Sequence, residues 1–189
     1  LYELVSNPAL EGFTAPKILW LRENEPNNYQ RMRTLLLPKD YILYRLTGRR
    51  VTEESDAAGT LLYDVRNRRW SVKLLELLDI PLDILPEVLG STDVVGLLTP
   101  EAAESTGLPK HVKVVAGGAD NTCSAVGNGI IEEGLVSSSI GSSGVIFAHT
   151  DTPKQDPLGR LHCFNHSVPG KWYLMGVMLA AGLSLKWYK

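Results

Sequence analysis

The stretch from Val112 to Gly127 reads Val-Lys-Val-Val-Ala-Gly-Gly-Ala-Asp-Asn-Thr-Cys-Ser-Ala-Val-Gly, and it decides the fold class. Its opening segment, Val112 to Ala116, predicts a short buried strand, because every residue but the lysine is apolar and most are β-branched. Two glycines then form a turn, and the small residues from Asp120 to Gly127 predict a tightly packed helix. A strand, a glycine turn and a helix make a βα unit, so we expect an α/β protein.

Helical patterns dominate the chain before this stretch. Capping residues, prolines at first helical positions and closing glycines mark their ends. The predicted helices run from Thr14 to before Pro26, from Asn27 or Asn28 to Arg33, from Asp40 to Thr47, from Ser71 to near Ile80, and from Pro100 to Thr106. Short strands are predicted at Leu61 to Val65 and at Val94 to Leu98.

Strand patterns dominate the chain after this stretch. Leu135 to Ile140 and Val145 to Ala148 predict a hairpin with a glycine-rich tip. A second hairpin is predicted from Leu161 to Val168 and from Trp172 to Met175, and a final helix from near Val177. We place a domain boundary at residues 132–134, which divides the chain into 1–133 and 134–189. The second part is too short for a domain of its own, so we expect a fragment of a longer protein.

Composition excludes several classes of protein. The 189 residues are 44% hydrophobic with a net charge of −2, which argues against disorder and against a broad nucleic-acid-binding face. No apolar run is long enough to cross a membrane, and the start at Leu1 lacks the pattern of a signal peptide. The two cysteines, Cys123 and Cys163, have no metal-ligand spacing, and we expect small, partly buried, reduced thiols in a cytoplasmic protein. A homodimer is the default expectation for an oligomer.

Asp120 is the first candidate for chemistry. It follows Gly117 and Gly118, where the backbone can approach a ligand closely, and it lies at the carboxyl end of a predicted strand. A carboxylate there could orient or deprotonate a hydroxyl group. Spacing alone favours a plain helix cap, since aspartate is among the preferred N-cap residues.

The second candidate is the serine-rich run Ser137 to Gly144, whose hairpin tip is Gly141, Ser142, Ser143 and Gly144. Such a tip offers backbone N–H groups and short hydroxyls to phosphate oxygens. It is not a Walker A loop, because it has no Gly-Lys-Ser/Thr ending and no helix follows it. An ordinary glycine turn is the alternative.

Other patterns are weaker. The run Ser55 to Thr60 could line a cleft, but a plain turn with a capping aspartate is the better interpretation. The four histidines show no ligand spacing, and His162 and His166 would share one face of a strand, which favours packing over a metal. The small basic clusters are interpreted as solvated surface: Arg49, Arg50, Arg66, Arg68 and Arg69.

Five motifs taken in order resemble the FGGY family of carbohydrate kinases. They are Thr14-Ala15-Pro16-Lys17 with Trp20, Leu37-Pro38-Lys39-Asp40-Tyr41, Leu46-Thr47-Gly48, Ser55-Asp56-Ala57-Ala58-Gly59-Thr60, and Val115-Ala116-Gly117-Gly118-Ala119-Asp120-Asn121. Each motif alone is weak, but the five in this order are specific. The fourth and fifth favour the members of the family that act on D-xylulose.

The resemblance implies an actin-like ATPase fold with ribonuclease H-like cores, of which this chain would hold parts of two domains. It implies phosphorylation of D-xylulose with ATP and Mg²⁺, with Asp120 as the catalytic base, Asp120 and Asn121 at the sugar, and Gly141, Ser142, Ser143 and Gly144 at the ATP phosphates. Ser142 replaces the family's threonine but keeps the hydroxyl. Ala119 replaces the commoner glycine, which is tolerable if its φ is negative.

Two alternatives stay open. The sugar could be another substrate of the family, such as L-ribulose, gluconate or glycerol, because the main sugar contacts are expected before Leu1. The chain could also belong to a non-catalytic, truncated actin-like module. The resemblance places the family's first phosphate hairpin before Leu1 and its adenosine loop after Lys189, so we expect the chain alone to be inactive.

Overall fold

The computed structural model describes residues 1–189 and contains nine helices and ten short strands, with four helices first and four successive strands near the end. The helices are α1 Tyr2–Val5, α2 Thr14–Asn24, α3 Pro26–Arg31, α4 Pro38–Thr47, α5 Glu54–Ala58, α6 Val72–Leu78, α7 Pro100–Thr106, α8 Asp120–Gly127 and α9 Gly182–Tyr188. The strands are β1 Val51–Glu53, β2 Tyr63–Asp64, β3 Arg69–Trp70, β4 Glu87–Leu89, β5 Val94–Leu97, β6 Lys113–Val115, β7 Val136–Ile140, β8 Gly144–Thr150, β9 His162–Asn165 and β10 Trp172–Met178. A 3₁₀ turn covers Leu82–Ile84.

Helix ends follow the local chemistry of the sequence. Helix α7 begins after Thr99, whose hydroxyl accepts a hydrogen bond from the Ala102 N–H at 3.1 Å, and ends at Gly107 with φ of 71°. The predicted bounds of α7 and of α8 are confirmed. Helix α3 covers Pro26–Arg31 and not the predicted stretch from an Asn27 or Asn28 cap to Arg33, and it begins earlier because proline suits a first helical position.

One antiparallel sheet holds the second part of the chain together. Its strand order is β7-β8-β10-β9, and both predicted hairpins are confirmed within it. Ile140 pairs with Gly144 at the tip of the first hairpin. The remaining strands form three two-stranded sheets, of which only β1 with β4 is parallel.

Two predicted element boundaries were wrong near strand ends. The last helix begins at Gly182, not near Val177, because Val177 and Met178 continue β10 by pairing with Val145 and Gly144. The strand predicted from Leu61 is confined to Tyr63 and Asp64, since Leu61 has a left-handed backbone with φ of 62°.

The decisive strand also differs from its prediction. Residues Lys113–Val115 form β6, which pairs antiparallel with β5 and is not buried: Val115 is 49% exposed. A two-stranded sheet has one covered face, so only Val114 turns toward the small core around Val95. The predicted sequence of strand, glycine turn and helix is correct, but its strand belongs to an antiparallel pair and not to a buried parallel sheet.

Two further corrections concern polar segments. The run from Ser55 forms the short helix α5 and not a plain turn, because the Glu53 carboxylate accepts the N–H groups of Ser55 and Asp56. Arg68 is not solvated surface: its guanidinium lies 4.9 Å from the Trp172 ring centroid. It also forms a 2.8 Å ion pair with Glu54.

The core crosses the proposed boundary at 132–134. One apolar cluster joins Ala57, Tyr63 and Val65 of the first part to Phe147 and Tyr173 of the four-stranded sheet. A second cluster packs α2 and α6 together within the first part. The cluster around Tyr63 fixes α5 relative to the four-stranded sheet.

None of the nine helices has the length and hydrophobicity that a membrane span requires.

Candidate active site

Asp120 is the first residue of α8, and its side chain is exposed. The N-cap position belongs to Ala119, which makes no side-chain cap, so the alternative interpretation of Asp120 as the cap residue was wrong. One carboxylate oxygen, Oδ1, accepts the Asn121 N–H at 2.7 Å. The other oxygen, Oδ2, accepts no hydrogen bond from the chain, so it is free to accept a proton or a hydrogen bond from a hydroxyl group of a ligand.

The loop before Asp120 needs its glycines. Gly117 has φ of 75°, a conformation that favours glycine. A Cβ on Gly118 would collide with the Ser167 hydroxyl, which lies against the glycine and also bonds to Thr122. Ala119 has φ of −59°, so the expected tolerance of alanine there is confirmed.

A fully buried carboxylate, Glu53, lies beneath this loop. It accepts the Ser55 N–H at 2.9 Å, the Ser55 hydroxyl at 2.7 Å, the Asp56 N–H at 2.8 Å and the Ser91 hydroxyl at 2.7 Å. Lys39 brings its ammonium within 3.8 Å of the same carboxylate. The buried charge is therefore both hydrogen-bonded and paired, as a buried ion must be.

The Lys39 ammonium forms ion pairs with three carboxylates. Its Nζ lies 3.3 Å from Asp40, 3.3 Å from Asp56 and 3.8 Å from Glu53. Burial lowers the pKa of Lys39, but these three charges outweigh burial and leave the pKa raised, so the lysine is charged. Burial raises the pKa of Asp56 to about 6 despite the lysine.

The tip from Gly141 to Gly144 is exposed and rests on the start of α9. Gly141 and Ser142 use their carbonyl groups to accept N–H groups of Ala181, Gly182 and Leu183. The N–H groups of Ser142 and Ser143 donate to nothing within the chain. Two backbone donors and two hydroxyls are therefore available to an anion.

Strand β10 connects the two candidate regions. The Asn121 amide approaches the Met175 sulfur at 3.9 Å, and Met178 pairs with Gly144 at the tip. A strand rises about 3.3 Å per residue, so roughly 10 Å of β10 separates these two contacts. Asn121, next to Asp120, and the tip thus contact the same strand.

The remaining candidates take no part in this arrangement. His149 of β8 packs against His166, which follows β9, with ring centroids 5.1 Å apart, and burial lowers the pKa of His166 to about 4. No group of three His, Cys, Asp or Glu side chains is placed to hold a metal ion. Cys163 is buried and Cys123 is exposed, so only Cys163 fits the expected partly buried thiols.

Sequence reasoning missed the buried cluster of Lys39, Glu53 and Ser91. A signal existed for one member, since Lys39 belongs to a motif that matched the family. Glu53 and Ser91 lie outside every motif, and they meet only because β1 pairs with β4.

The model of the FGGY family of carbohydrate kinases, N-terminal domain, matches residues 1–127. The chain belongs to the FGGY family of carbohydrate kinases. A xylulose kinase from Lactococcus lactis is 52% identical over 190 residues, and the match covers all of this FGGY chain and 38% of that relative. The chain thus spans well under half of the curated relatives it matches.

Solved structures agree with this membership. A "xyloylose kinase" from Brucella ovis superposes with a TM-score of 0.94 at 37% identity, over 99% of this FGGY chain and 39% of that one. A gluconate kinase from Lactobacillus acidophilus superposes with a TM-score of 0.91 at 27% identity, over 98% and 38%. The predicted α/β class and actin-like ATPase fold are confirmed.

Proposed function

We propose that the protein containing this chain is a kinase that transfers the γ-phosphoryl group of ATP to D-xylulose and yields D-xylulose 5-phosphate and ADP. The observation that carries the proposal is the free Asp120 oxygen at the start of α8, directly after a glycine loop, in a chain with a xylulose kinase relative at 52% identity. A carboxylate in that place is suited to receive the proton of an attacking hydroxyl.

The proposed step is a single displacement. The sugar hydroxyl oxygen bonds to the γ-phosphorus, the bond from that phosphorus to the bridging oxygen breaks, and ADP leaves with the electron pair. Asp120 accepts the hydroxyl proton, and the neighbouring Asn121 amide would bind the sugar. Phosphoryl transfer needs positioning and charge stabilisation more than covalent chemistry, so one base and several fixed donors suffice.

The donors for the phosphates would come from the tip at Gly141 to Gly144. The N–H groups of Ser142 and Ser143 and their two hydroxyls are exposed and unused. Such groups stabilise negative charge that develops on phosphate oxygens. Because Ser142 offers a hydroxyl where the family has threonine, this contact is kept.

The proposed Mg²⁺ would bind mainly to the nucleotide. This chain contributes no cluster of three ligating side chains, and Mg²⁺ often keeps its waters while binding phosphate oxygens and one or two carboxylates. The exposed Asp120 carboxylate is chemically suited to lie in the outer shell of such an ion. The ion would neutralise charge on the transferred group.

We infer two further properties of this chain: it holds parts of two domains, 1–133 and 134–189, and it is inactive by itself. The division into 1–133 and 134–189 separates the segment that the N-terminal family model matches from the four-stranded sheet. The chain covers 38% of its relative, and the phosphate and adenosine loops implied by the family resemblance are not among its motifs. We therefore propose that the chain by itself has no kinase activity.

Gluconate is a second candidate substrate. The gluconate kinase structure superposes nearly as well as the kinase from Brucella ovis, so the backbone of this chain does not separate the two sugars. A panel of D-xylulose, L-ribulose, gluconate and glycerol on the full-length protein would distinguish them. Absence of activity on all four would favour the non-catalytic module.

The decisive experiment measures ADP release from Mg·ATP and D-xylulose by the full-length protein and its Asp120→Asn variant. We expect kcat to fall by at least about 100-fold, since general bases contribute about 10²–10⁴-fold, while the Kd for ATP stays within about 2-fold. Glu104→Gln, an exposed carboxylate of α7, is the control and should keep full activity. An equal loss of ATP binding in Asp120→Asn would refute the role as base.

A further inference from the structure

The backbone loop from Ala116 to Ala119 is held by hydrogen bonds to three residues that are distant in the sequence. The Ala116 carbonyl accepts the Lys39 ammonium at 3.3 Å, and the Gly117 N–H donates to the Ser91 carbonyl at 2.9 Å. The Ala119 N–H donates to the Ser55 hydroxyl at 2.9 Å. These contacts join positions far apart in the chain, 77 residues apart for Lys39 and 64 for Ser55.

All three partners of the loop bind the same carboxylate. Ser55 and Ser91 donate their hydroxyls to Glu53 at 2.7 Å, and Lys39 lies 3.8 Å from it. Glu53 is fully buried and accepts two backbone N–H groups as well, so its orientation is fixed from several sides. The loop is therefore connected to the Glu53 carboxylate through three residues, Ser55, Ser91 and Lys39.

We propose that Glu53 is a positioning residue for Asp120: through Ser55, Ser91 and Lys39 it fixes the loop from which the proposed base projects. Glu53 touches no reacting atom in this scheme. The proposal rests on the proposed function, because a fixed place for Asp120 matters to rate only if Asp120 is the base.

Ser55 is the connection nearest to Asp120. Its hydroxyl accepts the N–H of Ala119, the residue directly before the proposed base, and also lies 3.4 Å from the Thr122 hydroxyl in the first turn of α8. Because the hydroxyl proton is given to Glu53, the oxygen lone pairs face α8. The Glu53 carboxylate thus orients the Ser55 hydroxyl so that its oxygen accepts the Ala119 N–H, and that hydrogen bond fixes the start of α8.

Loss of this support should lower kcat and leave the affinity for ATP unchanged. A displacement of a catalytic group by about 1 Å can cost about 100-fold in rate. The tip at Gly141 to Gly144 makes no contact with the Glu53 cluster, so ATP binding should be unaffected.

Ser55→Ala in the full-length protein is the first test, because the more direct changes could prevent folding. Glu53→Gln would put an amide NH₂ against buried hydrogen-bond donors, and Lys39→Met would leave the buried Glu53 and Asp40 carboxylates without their cation. We expect kcat with D-xylulose to fall by about 10- to 100-fold with the KM for ATP within about 2-fold. Thr60→Val is the matched control. Its buried hydroxyl accepts a backbone N–H as that of Ser55 does, here from Leu62, and it donates to the Ala57 carbonyl, but it is not bonded to the loop. Equal losses of kcat in the two variants would overturn the proposal.

A double-mutant cycle tests whether Ser55 acts through Asp120. If it does, Ser55→Ala should change kcat by less than about 3-fold in the Asp120→Asn background, because the group it positions is already disabled. Ser55→Thr, which keeps the hydroxyl, should recover most of the lost rate. An undiminished effect of Ser55→Ala in the Asp120→Asn background would overturn the proposal.

Amide hydrogen exchange separates this proposal from the proposed function. We expect Ser55→Ala to speed exchange of the Ala119 amide by at least about 10-fold and Thr60→Val to leave it unchanged. A wild-type protein without sugar kinase activity would refute the proposed function, and the exchange rates would still report whether Ser55 holds the loop. Unchanged exchange in Ser55→Ala would refute the positioning role even in an active enzyme.

Discussion

The side-chain amide of Asn7 pairs with both backbone polar groups of Cys163, 156 positions further along the chain. Its Nδ2 donates to the Cys163 carbonyl at 2.8 Å, and its Oδ1 accepts the Cys163 N–H at 3.1 Å. Cys163 lies in β9, the edge strand of the four-stranded sheet. The fully buried Asn7 therefore replaces a neighbouring strand at that edge, where unpaired backbone groups would be costly.

Asn7→Ala should lower the free energy of unfolding by about 2–3 kcal/mol, because it leaves a buried N–H and a buried carbonyl without partners. Urea unfolding of the full-length protein measures the loss. Asn24→Ala is the control: Asn24 is exposed and bonds to the Trp20 carbonyl within its own helix, so its loss should stay within about 0.5 kcal/mol. Similar losses in the two variants would contradict the role of Asn7 at the edge.

Local patterns predicted what local chemistry determines. Helix α8 and the tip at Gly141 to Gly144 were predicted from the sequence, because glycines, caps and strand alternation act over a few residues. The exposure of β6 could not be predicted in this way. Its pattern of valines suits a buried strand equally well, and only its pairing with β5 decides which face is covered.

The cluster around Glu53 shows the same limit at the candidate site. Nothing near Glu53 in the sequence indicates that it accepts the Ser91 hydroxyl, 38 positions away. That contact depends on the parallel pairing of β1 with β4, which local propensities do not specify. A motif therefore indicates Asp120 as the proposed base, whereas the residues that support it could be found only in the fold.

Gly118→Ala tests the close approach of two segments at the loop. The added methyl group would collide with the Ser167 hydroxyl, so we expect a loss of about 1–3 kcal/mol in unfolding free energy and a fall in kcat. Adding Ser167→Gly should recover part of both losses. Gly127→Ala, at a helical glycine with open space around it, should be neutral or stabilising by up to about 1 kcal/mol. A harmless Gly118→Ala would disprove the contact.

Asp56 should make stability depend on pH. Burial raises its pKa to about 6 in the folded protein, against an ordinary value of 3.8. A carboxyl with a raised folded pKa stabilises the fold below the unfolded pKa, and this contribution is lost as the pH rises through about 6. Asp56→Asn removes the titration, so its stability relative to wild type should rise between pH 4.5 and 7.5, by about 2 kcal/mol.

Urea unfolding of both proteins at several values of pH measures this difference. Comparing the variant with wild type cancels the titration of groups outside the cluster, such as His166. Lys39 loses one of its three carboxylate partners in the variant, which shifts the difference at every pH in this range but not its slope, because the lysine stays charged throughout. Parallel stability curves would show that Asp56 does not titrate in this range.

Gly182→Ala tests the tip at Gly141 to Gly144 from its supporting side. Gly182 donates its N–H to the Gly141 carbonyl at 3.0 Å, and an added Cβ would collide with that same oxygen. In a helix without tertiary contacts, the change from glycine to alanine would stabilise the helix by about 1 kcal/mol, so any loss of stability must come from the contact with Gly141. We expect the displaced tip to weaken ATP binding by about 10-fold in the full-length protein, measured by calorimetry. Ser184→Ala on the same helix α9 should leave the affinity unchanged, and an unchanged affinity in Gly182→Ala would remove the tip from the proposed phosphate site.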